Sequence, residues 1–172
     1  MSPSDLGSAP VPPVSDADHV RGPKTAPVVI VYADFECPFC SALHARLHEQ
    51  PLRLAFRHFP IRSSHPRAWA AACAAEAAAA QGAFWEMLDS LFADQGRLDD
   101  PHLWDRARTL ALDVDRFDAD RRTDSVLARV KRDFESGIRA GVVTTPTLLA
   151  ADGQLVLKGR IDPAELDALQ RL

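Results

Sequence analysis

The chain has 172 residues, 47% of them hydrophobic and 26% charged, which suits one domain with a core of its own. A formal net charge of -4 provides no electrostatic footprint for nucleic acid or an anionic membrane surface. Three cysteines are too few, and odd in number, for a disulfide-stapled scaffold, but they leave room for a reactive pair and one spare.

Residues 1–24, with Pro3, Pro10, Pro12 and Pro13, read as a flexible, partly extended leader. They lack the basic start and apolar run of a secretory signal. No later stretch approaches the ~18 apolar residues of a membrane span. A cytoplasmic address is therefore expected, with a periplasmic or exported one open if a native leader was removed. Val28-Val29-Ile30-Val31-Tyr32 is a continuous β-branched run, the pattern of a strand buried on both faces. It leads through Asp34-Phe35-Glu36 into Cys37-Pro38-Phe39-Cys40. From Pro38 the period becomes helical, with Phe39, Leu43 and Leu47 on one stripe and Pro51 closing it. Pro38 suits the first helical position, so Cys37 is expected at the N-cap.

Leu52 to Phe59 alternates apolar and polar residues and reads as a second strand. Residues 64–140 are helical in pattern. Segment 68–80 holds ten alanines, the best helix former, and Gly82 separates it from a helix carrying Phe84, Trp85, Leu88 and Leu91. Asp100-Pro101 opens another helix, a turn is expected near Leu112–Asp115, and Val126, Val130, Phe134 and Ile138 mark a last one before Gly141. Strand character returns at Thr145-Pro146-Thr147-Leu148-Leu149, followed by an Asp152-Gly153 hairpin signal and a helix opening at Asp162-Pro163. The order β-α-β, helical block, β-β-α predicts one α/β unit with a helical insertion and no second domain.

The Cys37/Cys40 pair is the sharpest chemical feature. The thiolate is the nucleophile of disulfide exchange, and a helix N-terminus favours the anion through its free N–H groups and dipole. Cys37 is therefore read as the attacking sulfur, and Cys40, one turn inward, as the resolving thiol. A zinc site is not expected, because no second CxxC or CxxH accompanies the pair and no histidine pair is read at metal spacing. Two incidental buried cysteines are the other bland reading, but a proline inside the pair, directly after a buried strand, argues against it. Cys73, among alanines, reads as a small buried hydrophobe. Trp85 and Trp104 read as core. Arg121, Arg122, Arg129, Lys131 and Arg132, balanced by nearby acids, read as a solvated helix face. Thr145-Pro146 at a strand start is trans by default.

These stretches resemble the DsbA-like branch of the thioredoxin superfamily over about residues 19–172. The likeness is carried by Asp34-Phe35-Glu36-Cys37-Pro38-Phe39-Cys40, Phe56-Arg57-His58-Phe59-Pro60, Gln81-Gly82-Ala83-Phe84-Trp85 and Gly141-Val142-Val143-Thr144-Thr145-Pro146-Thr147. They resemble soluble single-domain members and the thioredoxin-like domains fused to some sodium/proton antiporters. The resemblance implies a thioredoxin fold in three stretches, with 25–62 the first part, 63–140 the helical insertion and 141–172 the last part. It also implies a cis Pro146 facing the cysteines, and a Thr145 that meets substrate backbone and tunes the thiolate. Two departures stand out. Many relatives carry a buried acid where this chain has Val31, with Asp34 and Glu36 differently phased. Strong oxidants carry His where this chain has Phe39, which implies a weaker oxidant here.

The expected activity is thiol–disulfide exchange with protein substrates through Cys37 and Cys40, with Pro38 and Phe39 beside the thiols and Thr145 and Pro146 on the substrate side. No metal or organic cofactor is expected, and a redox partner such as glutathione or thioredoxin is. The alternative is a redox-sensing or partner-binding module with little generic turnover.

Overall fold

The run at Val28–Tyr32 becomes the centre of a sheet, which explains why it lacks alternation. The computed structural model describes residues 9–169 and places β2 (Val28–Ala33) between β3 (Arg53–His58) and β4 (Thr147–Ala150). The sheet order is β1-β3-β2-β4-β5, with β1 at His19–Arg21 and β5 at Leu155–Lys158. β2 runs parallel to β3 with Val31 opposite Phe56, and antiparallel to β4 with Val31 opposite Leu148. The parallel step is made through α1 (Pro38–Leu47), the crossover that parallel strands require. The α/β order read from the sequence is observed from β2 onward, with β1 added ahead of it.

Helices α2 (Ala68–Ala79), α3 (Phe84–Ala93), α4 (Asp100–Thr109), α5 (Val114–Asp120) and α6 (Asp124–Arg139) form the block between β3 and β4, and α7 (Pro163–Ala168) follows β5. One apolar core joins Val29, Val31 and Phe56 of the sheet to Ala74, Leu88, Leu103 and Phe117 of that block. A second core on the other face joins Ile30, Tyr32 and Phe59 to Val142 and Leu149, with Phe134 of α6 packed against it. Here α6 approaches the sheet closely: a Cβ on Gly137 would lie 2.7 Å from the Phe59 ring and 3.0 Å from Tyr32.

Several expectations need correction. The segment expected as a flexible leader contains β1, which pairs antiparallel with β3. Val11 and Val14 before it pack on the second core. Proline content misleads here because the anchoring is done by Asp18, whose carboxylate takes both Arg57 Nε and Nη2 at 2.8 and 3.1 Å. Residues 1–8 of that leader and 170–172 of the closing stretch lie outside the described residues. The turn expected at Leu112–Asp115 starts α5, whose N-cap Asp113 accepts from the Arg116 N–H at 3.0 Å. The polar side chains of β3 do not all face water: Arg57 and His58 are buried, and only Arg53 at its start is partly open. Nor is the basic stretch wholly a solvated face: Arg121 and Asp133 are buried, Arg121 pairing with Asp100 and Asp118 and Asp133 with Arg129.

Candidate active site

The end of β2 delivers the chain into a tight turn, and the carboxylate of Asp34 organises it. Asp34 is buried, accepts from the Glu36 N–H at 2.7 Å and the Ile61 N–H at 2.8 Å, and lies 2.9 Å from His65 Nδ1. Gln95, beyond α3, donates to the carbonyls of Phe35 and Cys37, both at 2.8 Å. Glu36 takes the Arg67 backbone N–H at 2.8 Å and its Nε at 2.9 Å. The loop before the cysteines is thus tied to β3, α2 and the end of α3 before α1 begins. Asp34 carries an Asx-turn signal legible in sequence. Gln95 carries none, because its role depends on a contact sixty residues away.

Cys37 occupies the N-cap of α1, with Pro38 at the first helical position, as the spacing predicts. Its sulfur closes no cap hydrogen bond. Its thiol is nonetheless lowered from 9.0 to about 6. The Cys40 thiol donating to it is the largest cause, burial opposes, and the Thr145 hydroxyl and the Cys40 and Phe39 N–H groups add to the lowering. At that value about nine-tenths of Cys37 is thiolate at pH 7. When protonated, Cys37 donates to the Thr145 carbonyl at 3.4 Å. Cys40 is pushed well above 9.0, first by burial and then by Cys37. The two free sulfurs are therefore unlike, one poised as an anion and one held as a thiol.

Thr145-Pro146 is a cis peptide bond, where the local reading of the sequence defaults to trans and the resemblance to cis. The turn that ends α6 carries the chain to it, Gly141 at φ 80° allowing the Val142 N–H to return to the Gly137 carbonyl at 2.9 Å. Phe39 is half-exposed beside the pair, whereas Phe35 is buried against Phe56 and Phe92. A groove lined by Pro38, Phe39, Ala42, Arg46, Arg160 and Ile161 runs past the N-terminal end of α1. Beneath Cys40 lies a small cavity lined by Val31, Leu43, Leu54 and Phe56 among others; none of its described lining residues is an acid.

The remaining candidates fall outside this site. Cys73 is buried in α2, and burial and Glu76 push its thiol up to about 11. His58 Nε2 lies 2.7 Å from Glu76 Oε1, which also meets His19 Nε2 at 2.8 Å. Trp85 and Trp104 pack on the first core, as expected. Contrary to the expectation from histidine spacing, His44 on α1 and His48 at its C-cap stand four apart with Nε2 atoms 3.1 Å from each other.

A family model described as Thioredoxin matches residues 14–170. The chain is 46% identical over 146 residues to the Na(+)/H(+) antiporter NhaA 3 of Salinispora tropica, covering 80% of this chain and 22% of that protein. It thus spans less than a quarter of that relative's length. Among solved structures, it is similar to a thioredoxin-like oxidoreductase from Silicibacter pomeroyi DSS-3, with TM-score 0.79 and 24% identity over 90% of this chain and 91% of that one. It is also similar to Pseudomonas aeruginosa DsbA2, with TM-score 0.71 and 27% identity over 91% and 94% of the two chains. Their shared architecture is the DsbA-like thioredoxin fold with its helical insertion. Among the described residues, no helix is long and apolar enough to cross a membrane.

Proposed function

The chain belongs to the thioredoxin family, and on that premise we propose that it exchanges disulfides with protein substrates through Cys37 and Cys40. The observation that carries this reading is the placement of the two sulfurs, Cys37 at the N-cap of α1 and 3.4 Å from the Thr145 carbonyl, Cys40 one turn inward and buried, which lowers the first thiol and raises the second. In the reducing direction, the Cys37 thiolate attacks one sulfur of a substrate disulfide and releases the other as a thiolate. The product is a mixed disulfide on Cys37. The Cys40 thiol passes its proton to the released thiolate or to water. Its sulfur then attacks Cys37 Sγ, which frees the second substrate thiolate and leaves a Cys37–Cys40 disulfide. Run backwards, the same steps oxidise a substrate dithiol. Thr145 and Pro146 form the substrate-facing edge, Pro38 sets the helix start, and the half-exposed Phe39 offers an apolar contact.

Phe39 in place of a histidine favours a weaker oxidant, and a glutathione or thioredoxin system is the natural partner for a cytoplasmic reductant. Insulin reduction tests the reading. Cys37→Ser is expected to abolish it, and Cys40→Ser to accumulate mixed disulfides that non-reducing gels reveal. Reductase activity that survives Cys37→Ser refutes the mechanism. The likeness to part of an antiporter supports a second reading, a redox-dependent binding module. That reading predicts negligible insulin turnover alongside a partner captured in only one redox state.

A further inference from the structure

Away from the dithiol, three donors converge between the C-terminal half of α1 and α3. His44 Nε2 lies 2.9 Å from Asp89 Oδ1, and His48 Nε2 lies 3.4 Å from the same oxygen. The two imidazole nitrogens are 3.1 Å apart. We propose that His44, His48 and Asp89 bind one divalent transition-metal ion of the zinc class.

The triangle has the dimensions that a shared metal imposes. Donors at ~2.0–2.1 Å from one ion stand about 3.3 Å apart in a tetrahedral shell and about 2.9 Å apart in an octahedral one. All three edges fall close to that range. The two Nε2 atoms face each other, so at most one proton lies between them, and in the neutral imidazoles both lone pairs can be directed at one cation. His44 is preset, because its ring packs on Phe92 with centroids 4.9 Å apart. His48 is exposed and Asp89 partly so, which lets the ion enter from solvent and keep water in its remaining positions.

Charge selects the class of metal. Arg21 Nη1 lies 3.1 and 3.2 Å from the two Asp89 oxygens, and Nη2 lies 3.3 Å from His48 Nε2. The guanidinium offsets the carboxylate, which leaves little net negative charge for calcium or magnesium. Two imidazoles beside a single carboxylate oxygen suit Zn²⁺, Co²⁺, Ni²⁺ or Cu²⁺ instead. Binding requires Arg21 to give up Asp89 Oδ1 and His48 Nε2 to the ion, keeping Asp89 Oδ2 and its place over Trp85, whose ring centre lies 4.4 Å away. The ion would then clamp α1, which carries the thiols, to α3.

The test titrates Zn²⁺ and Co²⁺ into the untagged full chain carrying Cys37→Ser and Cys40→Ser, so that the thiols cannot compete. One ion per chain is expected by calorimetry, with a cobalt spectrum free of sulfur charge transfer. Adding His48→Gln at the exposed position, or the isosteric Asp89→Asn, should weaken binding at least tenfold and abolish the rise in thermal midpoint with zinc. Absence of binding in the serine double variant overturns the site, as does binding that neither His48→Gln nor Asp89→Asn alters.

Discussion

At Cys37 the decisive neighbour is Cys40, whose thiol is the largest cause of the lowered value near 6. Alkylation of Cys37 by iodoacetamide should therefore reach half its maximal rate near pH 6, and Cys40→Ser should move that midpoint upward. A pH series of thiolate absorbance checks both. The same shift makes reduced-state stability depend on pH. Cys37 ionises lower in the folded chain than in the unfolded one, so its contribution is fully present above an unfolded value of ~8.5. It is lost as pH falls toward 6. Urea midpoints of the reduced protein should rise between pH 6 and pH 8, and Cys37→Ser should flatten that rise. The thiols were legible in the sequence because strand, turn, proline and both cysteines are contiguous. The Asx turn of Asp34 onto Glu36 is legible in the same way, but its ties to Ile61 and His65, and the whole role of Gln95, are not, since those partners come from distant positions.

Among the elements, α2 shows how composition conceals a polar device. Its alanines are buried nearly all round, and the one acid among them, Glu76, is buried too. Burial alone would raise the Glu76 carboxyl, but hydrogen bonds to His19 and His58 outweigh it and hold the group below the usual carboxylate range. Glu76→Gln removes the charge that β1, β3 and α6 share, through His19, His58 and Arg129. It should cost about 3 kcal/mol, read as a lowered urea midpoint at neutral pH. Because a depressed carboxyl loses its contribution as pH falls, the variant should also unfold less steeply in acid. On α6, Gly137→Ala would drive a methyl into Phe59 and Tyr32. A loss of about 1–3 kcal/mol is expected from this overpacking, although alanine is the better helix former. Helix periodicity exposed α6 itself, because Val126 and Val130 repeat on its buried side. The short α5 escaped because seven residues barely span two turns and are held by their Asp113 cap.

Across the whole molecule, insertion and sheet share the first core, so the helical block has no separate interior to retain when the sheet melts. All three tryptophans, Trp69, Trp85 and Trp104, lie in the block. Their fluorescence should therefore lose native signal at the same denaturant concentration as the far-UV circular dichroism of the entire chain. Two separated transitions would mean that block and sheet unfold apart. The β-α-β, helical, β-β-α order was readable from runs and breakers, whereas β1 was not, being three residues long and fixed by Arg57 and Asp18 at a distance. The contact between Cys37 and the Thr145 carbonyl joins residues 108 positions apart. During synthesis, which proceeds from the N-terminus, both thiols leave the ribosome well before the strand that completes their site. Until that strand arrives, the emerging chain carries cysteines that lack their finished surroundings, so correct thiol chemistry becomes a late event in the protein's own birth.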